Sequence, residues 1–300
     1  MRTIYAAIAE RLERGAAFAL ATLVRARHAS PAPVGTSLVV DADGSFVGNV
    51  GAGCHEAMLV ETAQQVLAGG SQATLEFNVR DDVFDGSACG ASLTVAVWRP
   101  DASFLDAARA VARGRQSVRF SCAGHPLAIP AKRSLAIVGA TALASELTRL
   151  ATAADFFVTV VDPRAAFATP AQHPHADRLI AAWPQDALPQ LLADTDALVS
   201  LAHDSKIDLP ALGCALDSNV AYVGVLGSRR AQRVRREQLR DRGYGDAVLA
   251  RLHGPVGLDL GDRSDAAIAC SIFAEILCVL NERTGQPMST NIDSPRRSNA

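Results

Sequence analysis

Four short, largely apolar runs in the second half of the chain constrain its fold more than any other feature. They are Leu135–Gly139, Phe156–Val161, Ala197–Leu201 and Tyr222–Leu226. Runs of this kind, without polar alternation, fit strands buried on both faces. Helical patterns separate them, Ala142–Ala153 among them. Strand and helix in alternation predict a parallel, doubly wound sheet. The pattern closes with a helix over Asp265–Arg283, where Ile268, Ile272, Ile276 and Val279 recur on one face. That face fits either the helix's own sheet or a second copy in a homodimer.

The first half reads differently. Ile4, Ile8 and Leu12 mark one face of a helix over Ile4–Arg14, and Phe18–Arg25 reads as a strand. Ser37–Asp41 and Ser45–Gly48 flank Ala42-Asp43-Gly44, a hairpin signal. A helix over Ala57–Leu67 and strands over Ala73–Asn78 and Ser92–Trp98 follow, then a helix over Phe104–Arg113 and a β-rich piece over Ser117–Ile129. This is an α+β pattern with mixed or antiparallel pairing. Pro130-Ala131-Lys132-Arg133 reads as a linker. The chain of 300 residues therefore divides into an N-terminal α+β domain over 1–130, a parallel-sheet domain over 131–283 and a polar, disordered tail over 284–300.

Three glycine-rich stretches carry the chemistry of the second domain. In a Rossmann fold the first strand enters a glycine-rich turn, and an acidic residue follows roughly 20 residues later. Gly139 ends the first run and Asp162 ends the second, so the spacing is that of a Rossmann-like domain. Only the first glycine of the turn is present. Thr141 stands where bare backbone should meet a pyrophosphate, and Ala144 stands at the helix-packing position. Asp162 reads as a ligand contact or as a strand-end cap. A second turn, Gly224-Val225-Leu226-Gly227-Ser228-Arg229-Arg230, lies at another strand's end, where Ser228 and Arg229 are placed near a ligand. Arg233, Arg235, Arg236 and Arg240 read as a solvated helix face. The third stretch, Gly254–Gly261, carries Asp259 and closes over the same edge.

In the first domain, Gly48-Asn49-Val50-Gly51-Ala52-Gly53-Cys54-His55-Glu56 runs into a helix and is echoed by Cys89-Gly90. Glycines leave backbone N–H groups bare for a ligand to approach. A cysteine at a helix N-terminus sits in positive potential that favours the thiolate, and a thiolate suits a soft metal. Gly51, Gly53, Cys54, His55, Glu56, Cys89 and Gly90 are thus candidate binding residues, with Cys54 the candidate metal ligand. Among the seven histidines, His55 alone has this context. His28, His125, His173, His175, His203 and His253 read as surface or capping groups. Cys122, Cys214, Cys270 and Cys278 read as packing residues.

Charge and cysteine spacing exclude other classes. A formal net charge of -2 gives no support for nucleic-acid or membrane-surface binding. The six cysteines show no CxxC pair and no dense disulfide spacing, which fits a reducing cytoplasmic setting. The charged N-terminus reads as an amphipathic helix, not a signal peptide, and no apolar run approaches the roughly 20 residues of a membrane span.

Taken together, these motifs resemble the xanthine dehydrogenase accessory protein family, XdhC/CoxI. The residues that carry the resemblance are Ala21–Arg25 with Ser30–Gly35, Gly51–Glu56, Cys89–Leu93, Val161–Arg164, Gly224–Arg230 and Pro255–Gly261. The chain departs from the family pattern at Ala32, Ala52, His55, Ala91 and Thr141. The resemblance implies a cytoplasmic chaperone, with no turnover of its own and so no catalytic residues. It would bind the molybdenum cofactor, as molybdopterin or its dinucleotide form, and protect it during sulfuration by a cysteine desulfurase. It would then deliver it to an apo molybdenum hydroxylase of the xanthine dehydrogenase, aldehyde oxidase or carbon monoxide dehydrogenase type. Cys54 would meet the metal, and the N–H cradle and Arg229 the phosphate. Gly139, Asp162, Ser228 and Asp259 complete the implied cofactor-binding set. Two alternatives stand beside it: an NAD(P)-dependent oxidoreductase using the Rossmann-like domain, and a metal-trafficking or redox-sensing protein using Cys54 and Cys89.

Overall fold

The computed structural model describes residues 1–27, 30, 32–51, 53, 55–78 and 92–290. The chain divides into two compact units, with the division between Ala131 and Lys132.

The first unit is built on a five-stranded antiparallel sheet. Its elements are α1 (Arg2–Glu13), β1 (Phe18–Arg27), β2 (Ser37–Asp41), β3 (Phe46–Gly48), α2 (Glu56–Leu67), β4 (Ala73–Asn78), β5 (Ser92–Trp98) and α3 (Leu105–Arg113). A separate hairpin pairs β6 (Val118–Cys122) with β7 (His125–Ile129). The sheet order is β3-β2-β1-β5-β4. Successive residues of a strand point to opposite faces, and β1 uses both. Phe18 and Leu20 join Tyr5, Ile8, Trp98 and Phe104 in the core beneath α1 and α3. Ala19, Ala21 and Leu23 join Leu59, Ala63 and Val66 of α2 on the other face. The first six residues of this central strand are therefore all buried, and all are apolar except Thr22, whose hydroxyl meets Ser37 and accepts from Trp98 Nε1. Each large buried side chain contributes about 1.5–3 kcal/mol relative to exposure.

The second unit is a six-stranded, wholly parallel sheet with helices on both faces. Its elements are β8 (Ser134–Val138), α4 (Ala142–Ala153), β9 (Phe157–Val161), β10 (Arg178–Ile180), α5 (Pro184–Leu191), β11 (Ala197–Ser200), α6 (Ser205–Leu216), β12 (Tyr222–Val225), α7 (Arg229–Arg240), α8 (Asp246–Leu249), β13 (Leu252–His253) and α9 (Asp265–Leu280). The order β10-β9-β8-β11-β12-β13 winds outward in both directions from β8. Leu135 and Ile137 of β8 pack under α4 and α9, whereas Ala136 and Val138 face the α5 and α6 side. Ala269, Ile272, Phe273 and Ile276 of α9 lie in the first of these cores. The apolar face of that helix is thus spent on its own sheet.

The winding reverses between β8 and β11, and ligands of open α/β sheets gather at the carboxyl ends there. Gly139 leaves β8 at φ 100°. A Cβ on Gly139 would stand 2.7 Å from both the backbone N and Cα of Ala202, just past β11. The two strand exits are held backbone to backbone, and only glycine fits.

Several boundaries differ from the sequence expectation. The edge strands β10 and β13 are three and two residues long, too short to show a period. The last long helix stops at Leu280, and Glu282 beyond it has φ 55°. In the segment expected to be a disordered tail, Met288–Thr290 forms a short 3-10 turn, and residues 291–300 lie outside the described set. Among the described residues no helix is long and apolar enough to cross a membrane.

Candidate functional site

The glycine-rich turn before α2 is organised by an acid of its own. One carboxylate oxygen of Glu56, at the first position of α2, accepts N–H bonds from Val50 (3.1 Å) and Gly51 (2.8 Å). The other accepts from Gly53 (2.8 Å) and His55 (3.2 Å). A carboxylate at a helix N-terminus facing successive backbone donors is favoured by both dipole and hydrogen bonding. The expectation of a bare N–H cradle is therefore corrected at these four positions: Glu56 fills it. Burial raises the carboxyl's pKa, but the N–H groups of Gly51, Val50 and their neighbours outweigh it and hold it below the ordinary value. The His55 ring stacks on Phe77 at 4.2 Å and an interplanar angle of 20°. Cys54, Cys89 and Gly90 lie outside the described residues; Gly53 and His55, which flank Cys54, are both tied to Glu56.

In the second unit, the turn from β8 into α4 is closed by side chains. Thr141 caps α4, its hydroxyl accepting the Ala144 N–H at 3.2 Å. One donor at the position where a pyrophosphate would approach is thereby used. Asp162, at the end of β9, is fully buried. Its Oδ2 accepts the Ala140 N–H (2.8 Å) and Arg164 Nη2 (2.7 Å). Its Oδ1 accepts the Arg164 backbone N–H (2.8 Å) and Nε (2.9 Å). Burial pushes the pKa of Asp162 up, but Arg164 and the Ala140 N–H overcome this and lower it. A carboxylate so committed has no acceptor left for a ribose hydroxyl.

Beside this turn lies a cavity of about 640 Å³, bordered by α4 and the connection from β9 to β10. Arg164 and Phe167 stand on one wall, the guanidinium 4.5 Å from the ring centroid. His173 lies at 2 % exposure, its ring facing the Ala140 backbone, and neither nitrogen meets full hydrogen-bond geometry. The reading of His173 as a surface or capping group is thus overturned. Burial lowers its pKa against the opposing pull of the Ala140 backbone and the Asp162 carboxylate, so the imidazole is neutral and offers one donor and one acceptor.

The turn from β12 into α7 forms a second concavity, of about 480 Å³. Ser228 caps α7 by accepting the Ala231 N–H at 3.2 Å. Gln232 fastens the turn by donating to the carbonyls of Val225 (3.1 Å) and Gly227 (3.3 Å). Arg235 bonds Gln232 and, at 2.8 Å, the buried Asp208, which also accepts the Ser200 hydroxyl at 2.6 Å. Arg236 serves the carbonyls of Leu249 and Leu252, and Arg240 pairs with Asp246. Two of the arginines read as a solvated face, Arg235 and Arg236, are therefore structural, while Arg240 stays on the exposed face as expected. Arg229, Arg230 and Arg233 are exposed. Asp259 is also exposed, on a loop anchored at Gly257, whose N–H donates to Glu275 at 2.8 Å. Glu275 further accepts Tyr222 Oη at 2.5 Å and faces His253 Nδ1 at 3.4 Å.

The structure thus brings Gly139 and Asp162 to one part of the sheet edge and Ser228 and Arg229 to another. Arg164, His173 and Glu275 were not singled out by sequence. Arg164 directly follows Pro163, and its partner Asp162 is only two residues before it in sequence. Of the cysteines read as packing residues, Cys122 is buried, which pushes its thiol up to about 12, while Cys270 is exposed on α9. Among the described residues, no three His, Cys, Asp or Glu converge to hold a metal ion.

Comparison with known proteins places both halves. Residues 135–276 match the XdhC Rossmann domain, and residues 11–78 match the XdhC and CoxI family. The chain is 25% identical over 287 residues to the molybdenum cofactor insertion chaperone PaoD of Escherichia coli K12, covering 93% of this chain and 88% of PaoD. It is 28% identical over 285 residues to the uncharacterised E. coli protein YqeB, covering 94% of this chain but only 47% of YqeB. The chain thus spans about half the length of that relative. A crystal structure from Bacillus halodurans, of a protein called a xanthine dehydrogenase, superimposes with a TM-score of 0.75 at 22% identity, covering 97% of this chain and 98% of the other. That likeness shows the fold.

Proposed function

The chain belongs to the XdhC and CoxI family, and from that membership we propose that it is a cytoplasmic chaperone that binds the molybdenum cofactor and delivers it to an apo molybdenum hydroxylase. The observation that carries the reading is the likeness to a molybdenum cofactor insertion chaperone along nearly the full length of both proteins. In this reading the cofactor is cargo, the chain has no turnover of its own, and a cysteine desulfurase sulfurates the metal while the chaperone shields it. Cys54 is the proposed metal contact. Its neighbours in sequence, Gly53 and His55, both donate their backbone N–H to Glu56.

Phosphate-bearing parts of the cargo have cationic partners in the second unit. Arg229 and Arg230 stand exposed at the start of α7 beside Ser228, and Arg164 borders the cavity beside α4. The oxidoreductase alternative asks more of this chain: Thr141 caps the helix that would receive a pyrophosphate, and Asp162 is committed to Ala140 and Arg164.

The test is direct. The protein is purified anaerobically from a cofactor-producing host and assayed for molybdenum and for oxidised pterin fluorescence. Near-stoichiometric pterin that is lost in Cys54→Ala, with an unchanged circular dichroism spectrum, supports the reading and the thiol contact. Pterin retained in Cys54→Ala removes the thiol role. Absence of pterin together with NAD(H) binding replaces the chaperone with the oxidoreductase.

A further inference from the structure

We draw no further inference here: the strongest candidate, the exposed arginine face of α7 with Arg229, Arg230 and Arg233 beside the concavity at the start of that helix, belongs to the sheet edge already proposed to meet the phosphate of the cargo, and nothing in the structure shows what else would cover it.

Discussion

The carboxylate of Glu56 accepts the backbone N–H of Gly51, five residues before it, at 2.8 Å. The same side chain reaches Val50, Gly53 and His55, so a turn rich in glycine is held by a single internal anion.

Replacing that anion by a neutral isostere should loosen the turn. Glu56→Gln is expected to cost about 1.5–3 kcal/mol, the range for hydrogen bonds to a charged group, read by urea denaturation. A change within about 0.5 kcal/mol, the noise of surface substitutions, would show that the turn holds itself.

The same carboxylate sets an acid response. Its folded pKa is below the unfolded value of 4.5, so its contribution is complete above that value. It is lost as pH falls from there through the folded pKa. The parent should lose stability over that window more steeply than Glu56→Gln. Parallel pH profiles for the two proteins would remove Glu56 as the source.

Asp162→Asn should destabilise the second unit by about 1.5–3 kcal/mol, because the Ala140 N–H and Arg164 lose their charged acceptor. Chemical denaturation followed at the unit's own transition measures it. An unchanged midpoint would show that the pairing of buried Asp162 with Arg164 adds nothing to the unit's stability.

Thr141→Ala removes the cap of α4 and is expected to cost about 1 kcal/mol. Thermal denaturation of the variant checks this. An unchanged midpoint would mean that the Ala144 N–H finds another acceptor.

Gly139→Ala and Gly53→Ala should differ sharply although both glycines have positive φ, 100° and 98°. At Gly53 a Cβ meets nothing within 4 Å, so only backbone strain of about 1 kcal/mol applies. At Gly139 the clash with Ala202 adds overpacking of about 1–3 kcal/mol more. Similar melting points for the two variants would show that the β11 exit can yield.

Much of the fold was legible. The four apolar runs became β8, β9, β11 and β12 because a parallel strand covered on both faces has no polar positions to show. β10 and β13 escaped because edge strands of three and two residues carry no period. The site was less legible. Glu56 stood in view after the glycines and the cysteine, and an acid at a helix start facing a glycine turn is a signal for an internal anion. His173 gave no signal: it lies in Ala171-Gln172-His173-Pro174, a stretch without pattern, and its burial comes from packing against a turn more than 30 residues away in sequence, at Gly139–Thr141.

The close approach of Gly139 and Ala202 marks the point where the winding reverses, and the two concavities of this edge have no lining residue in common. On one flank lies the bay with His173 and Arg164, on the other the bay with Ser228 and Arg230. Two small molecules could therefore occupy this edge at once, each in its own bay.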